Sequence, residues 1–457
     1  MTITPELLGR LTQRGPRYTS YPTAAQFHEG VGPLEVRASM LADGEAAARP
    51  VSLYFHVLYC KKLCWYCACH KEISRDPKTS PHYTMQLCDE LDLRARLLQG
   101  REVTQVHFGG GTPTFLAPRD LENLMRHVRE RFTLAPDAEI SIELDPRACT
   151  QAHIDVLAKT GFNRASIGVQ DVNSHVQRAI NRVQPFDEVA ACIGKLREVG
   201  IEHINLDLIY GLPKQSVHTI EETLDEVLTL SPDRLAVYGY AHVPWLHPAQ
   251  KLLERHALPD ASNRLDMLST LINTLEHKGY VHIGMDHFAK PEDSLSRALE
   301  DGTLQRNFQG YSTQKGVDIH GIGPSAISAT PYFYAQNHKQ LADWRADLRC
   351  ATLPVMRGHL TSGEDRLRRD LIMAIMCKRV VDLDAIAAAN EVDDLRVELP
   401  HAFEELAIHQ ETGLVEIDTH ELRITELGRH FLRNLAMCFD EASRRGKPQA
   451  KRYSITV

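Results

Sequence analysis

Three cysteines stand at spacings of four and three in Cys60-Lys61-Lys62-Leu63-Cys64-Trp65-Tyr66-Cys67. A loop this short can wrap three thiolates around one side of a cubane. Three protein ligands leave one iron of a 4Fe–4S cluster open to a reactant, whereas four-ligand clusters are electron carriers. The competing chemistry is a structural zinc site with Cys69 or His70 as fourth ligand. Such sites commonly pair two clips, and the sequence has no second one. The remaining cysteines, Cys88, Cys149, Cys192, Cys350, Cys377 and Cys438, are scattered singly and read as small buried hydrophobes.

Further groups suited to chemistry follow short apolar runs. Gly109-Gly110-Gly111-Thr112-Pro113 lets backbone approach a ligand without side-chain clash. Glu143, Gln170 with Asp171, and Asp207 interrupt apolar segments, where a polar side chain costs free energy unless it finds a partner. Three segments presenting polar groups near corresponding ends fit a ligand rich in charge and hydroxyls.

The elements that must position these groups repeat. Strand-like runs cover residues 52–57, 103–108, 139–144, 164–169, 204–209 and 234–240. Helix-like stretches lie between them at 83–98, 117–132, 151–160, 186–199 and 219–230. About six βα units predict an α/β fold, a partial (β/α)6 TIM-like barrel with its site at the carboxyl ends of the strands. After residue 280 the pattern loosens into glycine-rich turns. From about residue 360 it becomes helical (366–380, 383–390, 398–410), with a hairpin at 413–425 and a last helix at 426–439, resembling a winged-helix module. The expected organisation is an N-terminal arm and lead-in (1–50), a catalytic domain (51–350) and a helical C-terminal domain (351–457). Within the arm, Gly15-Pro16-Arg17-Tyr18-Thr19-Ser20-Tyr21-Pro22-Thr23 reads as ordered but not helical.

A net charge of -8 argues against nucleic-acid binding by the chain as a whole. The mixed charge of the winged-helix-like segment favours a packing or lid role there. No run of about 18 apolar residues and no signal-peptide pattern over residues 1–14 are seen, so a cytoplasmic protein that does not span a membrane is expected. Nothing points to an obligate interface, and a monomer is expected.

The cysteine loop after the first strand resembles the signature of the radical S-adenosylmethionine (SAM) superfamily, and the glycine run its SAM amino-group motif. Beyond that, the arm, Cys69, Ile142-Glu143-Leu144-Asp145-Pro146, Gly168-Val169-Gln170-Asp171, Tyr240-Ala241-His242 and Arg306-Asn307-Phe308-Gln309-Gly310-Tyr311 resemble the oxygen-independent coproporphyrinogen III oxidase family. The resemblance implies one 4Fe–4S cluster on Cys60, Cys64 and Cys67, with Cys69 not a ligand, and two SAM molecules. The first SAM would meet Tyr54, Gly110, Glu143, Arg182 and Ile327. The second would meet Tyr66, Gly111, Thr112, Gln170, Asp207 and Ala241. The implied reaction converts two propionates of coproporphyrinogen III to vinyls through a 5′-deoxyadenosyl radical, giving protoporphyrinogen IX. It needs an electron donor to the cluster and a final electron acceptor. Arg17, Lys71 and Arg306 are the expected contacts to substrate propionates, with Gln309, Tyr18 and Tyr21 as further substrate-facing positions.

The alternative within the superfamily is a haem chaperone that keeps the cluster but does not decarboxylate. Cys69 and the arm favour the oxidase. The loop departs from the family pattern at Leu58, Tyr59, Ala68 and His70. Its rigidity is expected to differ there, and Ala68 would be strained if its position required a positive φ.

Overall fold

Residues along each of six strands alternate between two environments, and this alternation builds the site. The computed structural model describes residues 9–45 and 49–441. Residues 1–8, 46–48 and 442–457, parts of the expected N- and C-terminal segments, lie outside the described residues. β1 (Val51–Val57), β2 (Glu102–Gly110), β3 (Thr133–Leu144), β4 (Arg164–Gln170), β5 (His203–Tyr210) and β6 (Arg234–Gly239) run parallel, in that order. With a side-chain period of two, every second residue faces the helices. Val51, Leu53, Phe55, Val106, Phe108, Ile142, Ile167 and Leu206 join one core on that side. The intervening Glu143, Ser166, Asn205, Asp207 and Tyr238 line cavities on the other.

Helices Thr79–Leu97, Pro118–Arg131, Gln151–Lys159, Phe186–Glu198 and Val217–Leu228 link the strands. In Pro118–Arg131 a proline opens the first turn, and Leu121, Leu124, Met125 and Val128 form the buried stripe. Each such side chain contributes about 1.5–3 kcal/mol on full burial. The α/β partial barrel expected from the sequence is therefore present.

The segment after residue 280 adds strands to the same sheet. β7 (Val281–Gly284) and β8 (His287–Ala289) extend one edge, with β8 antiparallel to β6. β9 (Asp318–Ile322) lies parallel to β1 and is followed outward by β10 (Ile327–Ala329), β11 (Phe333–Asn337) and β12 (Val355–Leu360). The result is one open sheet of twelve strands, six of them the parallel barrel set. These added strands are short, and their glycines hid the periodicity.

A second core gathers Leu371, Ile375, Leu406, Leu435 and Phe439 with Leu11, Tyr18 and Tyr21 of the arm. Tyr18 donates its hydroxyl to Asp440 at 3.0 Å, and Arg433 donates to the carbonyls of Pro16, at 3.0 Å, and Gly15. The arm is thus docked on the C-terminal helices.

Three expectations are corrected. The helix expected over 366–380 ends at Cys377, and Val380–Asp382 form a strand that pairs with Glu421–Ile424, which in turn pairs with Val415–Ile417. The last helix is broken into a 3-10 turn, Gly428–Phe431, and a short helix, Leu432–Met437. At Gly428 a Cβ would meet the Leu414 carbonyl oxygen at 1.9 Å, and this close packing onto the hairpin interrupts the helix. Cys350 is exposed at the C-cap of helix Leu341–Arg349, whereas Cys192, Cys377 and Cys438 are buried as expected.

Candidate active site

At the carboxyl ends of the parallel strands a cavity of about 430 Å³ is lined by Cys60, Cys64 and Cys67. The loop that carries them is held at both ends. Tyr59–Cys60 pairs with Glu72–Ile73, and Tyr59 packs against Tyr83 and Phe115 with ring centroids 5.2 and 5.1 Å away. Leu58 is fully buried. Packing and a two-residue ladder therefore fix the start of the loop without a proline. Ala68 is not among the non-glycine residues with positive φ, so alanine is accommodated there without left-handed strain.

The glycine run closes the other wall. Gly111 donates its N–H to the Val57 carbonyl at 2.7 Å, and Thr112 donates to the Tyr59 carbonyl at 3.0 Å. A Cβ on Gly111 would come within 2.9 Å of the carbonyl oxygens of Val57, Leu58 and Tyr59, and only glycine lets the two turns lie flush. Gly110, at φ +115°, donates to Glu143 Oε2 at 3.1 Å.

Donors converge on the sulfurs. Thr112 Oγ1 donates to Cys60 Sγ at 3.2 Å, and Arg147 and Arg182 each donate to Cys64 Sγ at 3.6 Å. Both arginines pair with Asp145, at 2.6 Å for Arg147 and 3.4 Å for Arg182. A hydrogen bond with the Cys69 thiol and the nearby Lys71 ammonium lower Cys67, favouring its thiolate. Lys71 itself donates to the carbonyls of Cys67 and Cys69 at 3.1 and 3.2 Å, bracing the loop.

Most positions expected to meet SAM lie on this one cavity: Tyr66, Gly110, Gly111, Thr112, Glu143, Gln170, Arg182, Asp207 and Ala241. Gln170 holds φ +70° at the end of β4. Asp207 accepts from Ser166 at 3.1 Å and Asn205 at 2.8 Å, and burial with the nearby Glu143 carboxylate raises it to about 7. Tyr54 and Ile327 are not among the lining residues. Tyr54 stacks on His107 at 5.8 Å and bonds His56 Nδ1 at 3.2 Å, beneath the glycine turn, and Ile327 lies on β10.

The positions expected to face substrate divide. Arg17 reaches the cavity, paired with Asp286 at 2.5 Å and donating to the Gly239 carbonyl at 3.2 Å. Lys71 also lines it. Arg306 is buried over the Tyr311 ring at 4.6 Å, and Gln309 lines an adjoining cavity in the barrel. Tyr18 and Tyr21 are buried in the second core. Asp171 is turned away, fully buried and accepting from Gln215 Nε2 at 2.7 Å and the Asn173 N–H at 2.6 Å.

Sequence reasoning missed Arg147, whose only local signal is the Asp145-Pro146-Arg147 turn, and Tyr238, the penultimate residue of β6, which carries no motif.

The residues present fit an iron–sulfur cluster with an anionic ligand beside it. Three thiols share one cavity, and two of them already receive N–H or O–H donors of the kind that tune such clusters. Arg182 keeps a buried Nε without a partner, available to a carboxylate.

Comparison with known proteins agrees. Residues 54–227 match the radical SAM superfamily model. The chain is 41% identical over 438 residues to the oxygen-independent coproporphyrinogen III oxidase of Pseudomonas aeruginosa, covering 95% of each chain. It is 40% identical over 458 residues to the Escherichia coli protein of the same name, covering 99% of this chain and 98% of that one. The solved structure of coproporphyrinogen III oxidase from Escherichia coli, described as a radical SAM enzyme, superposes with a TM-score of 0.89 at 40% identity, covering 94% of this chain and 99% of that chain. These relatives are named as oxidases, which favours the enzyme over the haem chaperone. The chain belongs to the oxygen-independent coproporphyrinogen III oxidase family of the radical SAM superfamily.

Proposed function

We propose that this chain oxidatively decarboxylates two propionates of coproporphyrinogen III to vinyl groups, yielding protoporphyrinogen IX for haem biosynthesis. The observation that carries it is the single cavity at the strand ends, where the three thiols meet the glycine turn, Glu143, Asp207 and Arg182, in a chain about 40% identical over its full length to named oxidases. Its cofactors are a 4Fe–4S cluster and SAM. Held by the three cysteines and the residues around them, they would supply radical chemistry able to take hydrogen from the β-carbon of a propionate, with carbon dioxide released and one electron passed to an acceptor.

The chain's own residues bind, orient and exclude water. In our reading Cys60, Cys64 and Cys67 ligate the cluster and Cys69 does not. Gly110, Gly111 and Glu143 offer backbone and carboxylate to an amino group, and Arg182 pairs with a carboxylate as a charge-assisted hydrogen bond. Tyr66, Thr112, Gln170, Asp207 and Ala241 line the space for a second SAM, while Tyr54 and Ile327 support the first from behind. A buried Asp207 held near 7 can keep its proton on a carboxyl oxygen at neutral pH and donate it to a hydroxyl or carboxylate. Tyr18 and Tyr21 anchor the arm so that Arg17 reaches the cavity. No helix among the described residues is long and apolar enough to cross a membrane, in keeping with a cytoplasmic location.

The test is anaerobic: reconstituted chain, reductant, SAM and coproporphyrinogen III, with products separated by chromatography. Mono- and divinyl products appearing with 5′-deoxyadenosine are expected. Haem binding without any vinyl product would overturn the assignment.

A further inference from the structure

The cysteine loop also borders an open groove of about 550 Å³. Lys61 and Lys62 line the groove from within the loop, and Lys62 lines the cluster cavity as well. Ser74, Arg75 and Asp76, just after the short strand Glu72–Ile73, form a further wall. The Ser74 N–H donates to the Cys60 carbonyl at 3.1 Å, so the groove lies one hydrogen bond from a residue that lines the cluster cavity.

Two independent features make this groove positive. Lys61, Lys62 and Arg75 are exposed, and among the described residues none of them enters an ion pair. One carboxylate lines the groove with them, Asp76, which accepts the Lys78 N–H at 2.9 Å. Exposed Lys78 and Arg119 adjoin the lining in sequence, as does exposed Glu72. Three helices also start here: Ser80, Pro118 and His153 lie in the first turns of Thr79–Leu97, Pro118–Arg131 and Gln151–Lys159, and all three line the groove. The N-terminal end of a helix carries the equivalent of about half a positive charge, which adds to that of the lysines. The chain as a whole carries -8, so an acidic partner is repelled elsewhere and drawn to this face. The floor is less polar, with Phe115 and Pro118 in the lining and Ile73 exposed beside Ser74. A small contact with a charged rim is the form taken by transient electron-transfer complexes.

We propose that this groove is the docking surface for an acidic one-electron carrier protein, which delivers its electron to the cluster across the Ser74–Cys60 edge of the loop. This rests on the decarboxylase reading, which requires a reductant, and adds where that reductant binds and by what charge. One electron leaves the carrier and enters the cluster, and no bond in the chain forms or breaks. A small phosphorylated ligand would use the same charge, but continuity of the groove with the cysteine loop favours the carrier.

The probe is a flavodoxin, an acidic flavin protein, reduced to its hydroquinone. Its affinity for the full, cluster-loaded chain is measured anaerobically, and bleaching of the cluster absorbance gives the rate of electron transfer. Both are compared with the double variants Lys61→Gln/Arg75→Gln and Lys61→Glu/Arg75→Glu, whose changes are at exposed positions. At low salt the charge reversal should weaken flavodoxin binding and slow bleaching by about tenfold or more, with the neutral variant between. High salt should weaken binding to the starting chain and narrow the difference. Reduced methyl viologen, a small cationic donor, should bleach the variants no more slowly than the starting chain. Flavodoxin binding that is absent from the starting chain, or equal in all three chains, would overturn the docking surface. Slower bleaching by both donors would overturn it too, placing the effect in the loop itself. Displacement of flavodoxin by millimolar inorganic phosphate, at ionic strength matched with chloride, would overturn it in favour of a small-anion site. Coproporphyrinogen III turnover driven by methyl viologen tests the other reading separately: a starting chain that takes up electrons yet forms no vinyl product would remove the decarboxylase reading and leave the binding result standing.

Discussion

The cavity of the cysteine loop and a neighbouring one of about 270 Å³ share a wall at Arg17, Gly239, Tyr240 and Ala241, yet are built from opposite materials. The first cavity draws its three thiols from one loop of eight residues, and donors are already aimed at two of the sulfurs. The neighbouring cavity draws its lining arginines from positions as far apart as 14 and 433. The three thiols are brought together by short-range spacing, whereas the neighbouring cavity depends on tertiary assembly of the arm with the C-terminal helices. Damage to the cysteine loop should abolish chemistry outright, and damage to the arm should loosen the substrate while leaving the cluster in place.

The largest effect is expected at the cysteines. Cys60→Ala, Cys64→Ala or Cys67→Ala should each eliminate the cluster's visible absorbance, while Cys69→Ala should retain it. Loss with Cys69→Ala would make it a ligand and break the three-cysteine assignment. Arg147→Ala comes next. Removing a donor to Cys64 Sγ and a partner of Asp145 should lower activity about tenfold or more, with a shift in cluster potential read by redox titration. An unchanged potential would show that the contact does not act on the cluster.

Deleting residues 1–23 probes the other side. It removes Arg17 and the buried Tyr18 and Tyr21, and should impair coproporphyrinogen III turnover more than uncoupled SAM cleavage, both followed chromatographically. Equal loss of both would erase the distinction between the cavities. Gly111→Ala should destabilise the chain by about 1–3 kcal/mol, read as a lower thermal midpoint, because the new Cβ meets three carbonyl oxygens.

The most gradual effect concerns pH. Asp207 is held near 7 against a usual 3.8, so the folded chain binds this proton more tightly than the unfolded chain between those values. The resulting stability is complete below the usual value, declines as pH rises toward 7, and is level above it. Asp207→Asn should flatten that slope, worth up to a few kcal/mol, between denaturation midpoints at about pH 5 and about pH 8. A slope unchanged by the substitution would assign it to other groups.

That the three thiols share one loop and one cavity was legible, because their spacing is local and nearly independent of the fold around it. The six parallel strands were equally readable, since a period-two pattern bounded by helices survives without tertiary knowledge. The strands between 281 and 360 were not, being three to six residues long and broken by glycine. Arg147 carries no motif, since its contacts to Cys64 and Asp145 come from neighbours that only folding supplies. Asp171 erred the other way. It looked like a ligand group at a strand end, and Gln215 and the Asn173 N–H satisfy it in the core.

The most direct test of the account follows one hydrogen. Coproporphyrinogen III deuterated at the propionate β-carbons is turned over anaerobically with SAM, and 5′-deoxyadenosine is analysed by mass spectrometry. Deuterium should appear in 5′-deoxyadenosine as vinyl groups form, with two equivalents produced for each protoporphyrinogen IX. Vinyl formation without deuterium transfer, or 5′-deoxyadenosine formed with the substrate left intact, would contradict it.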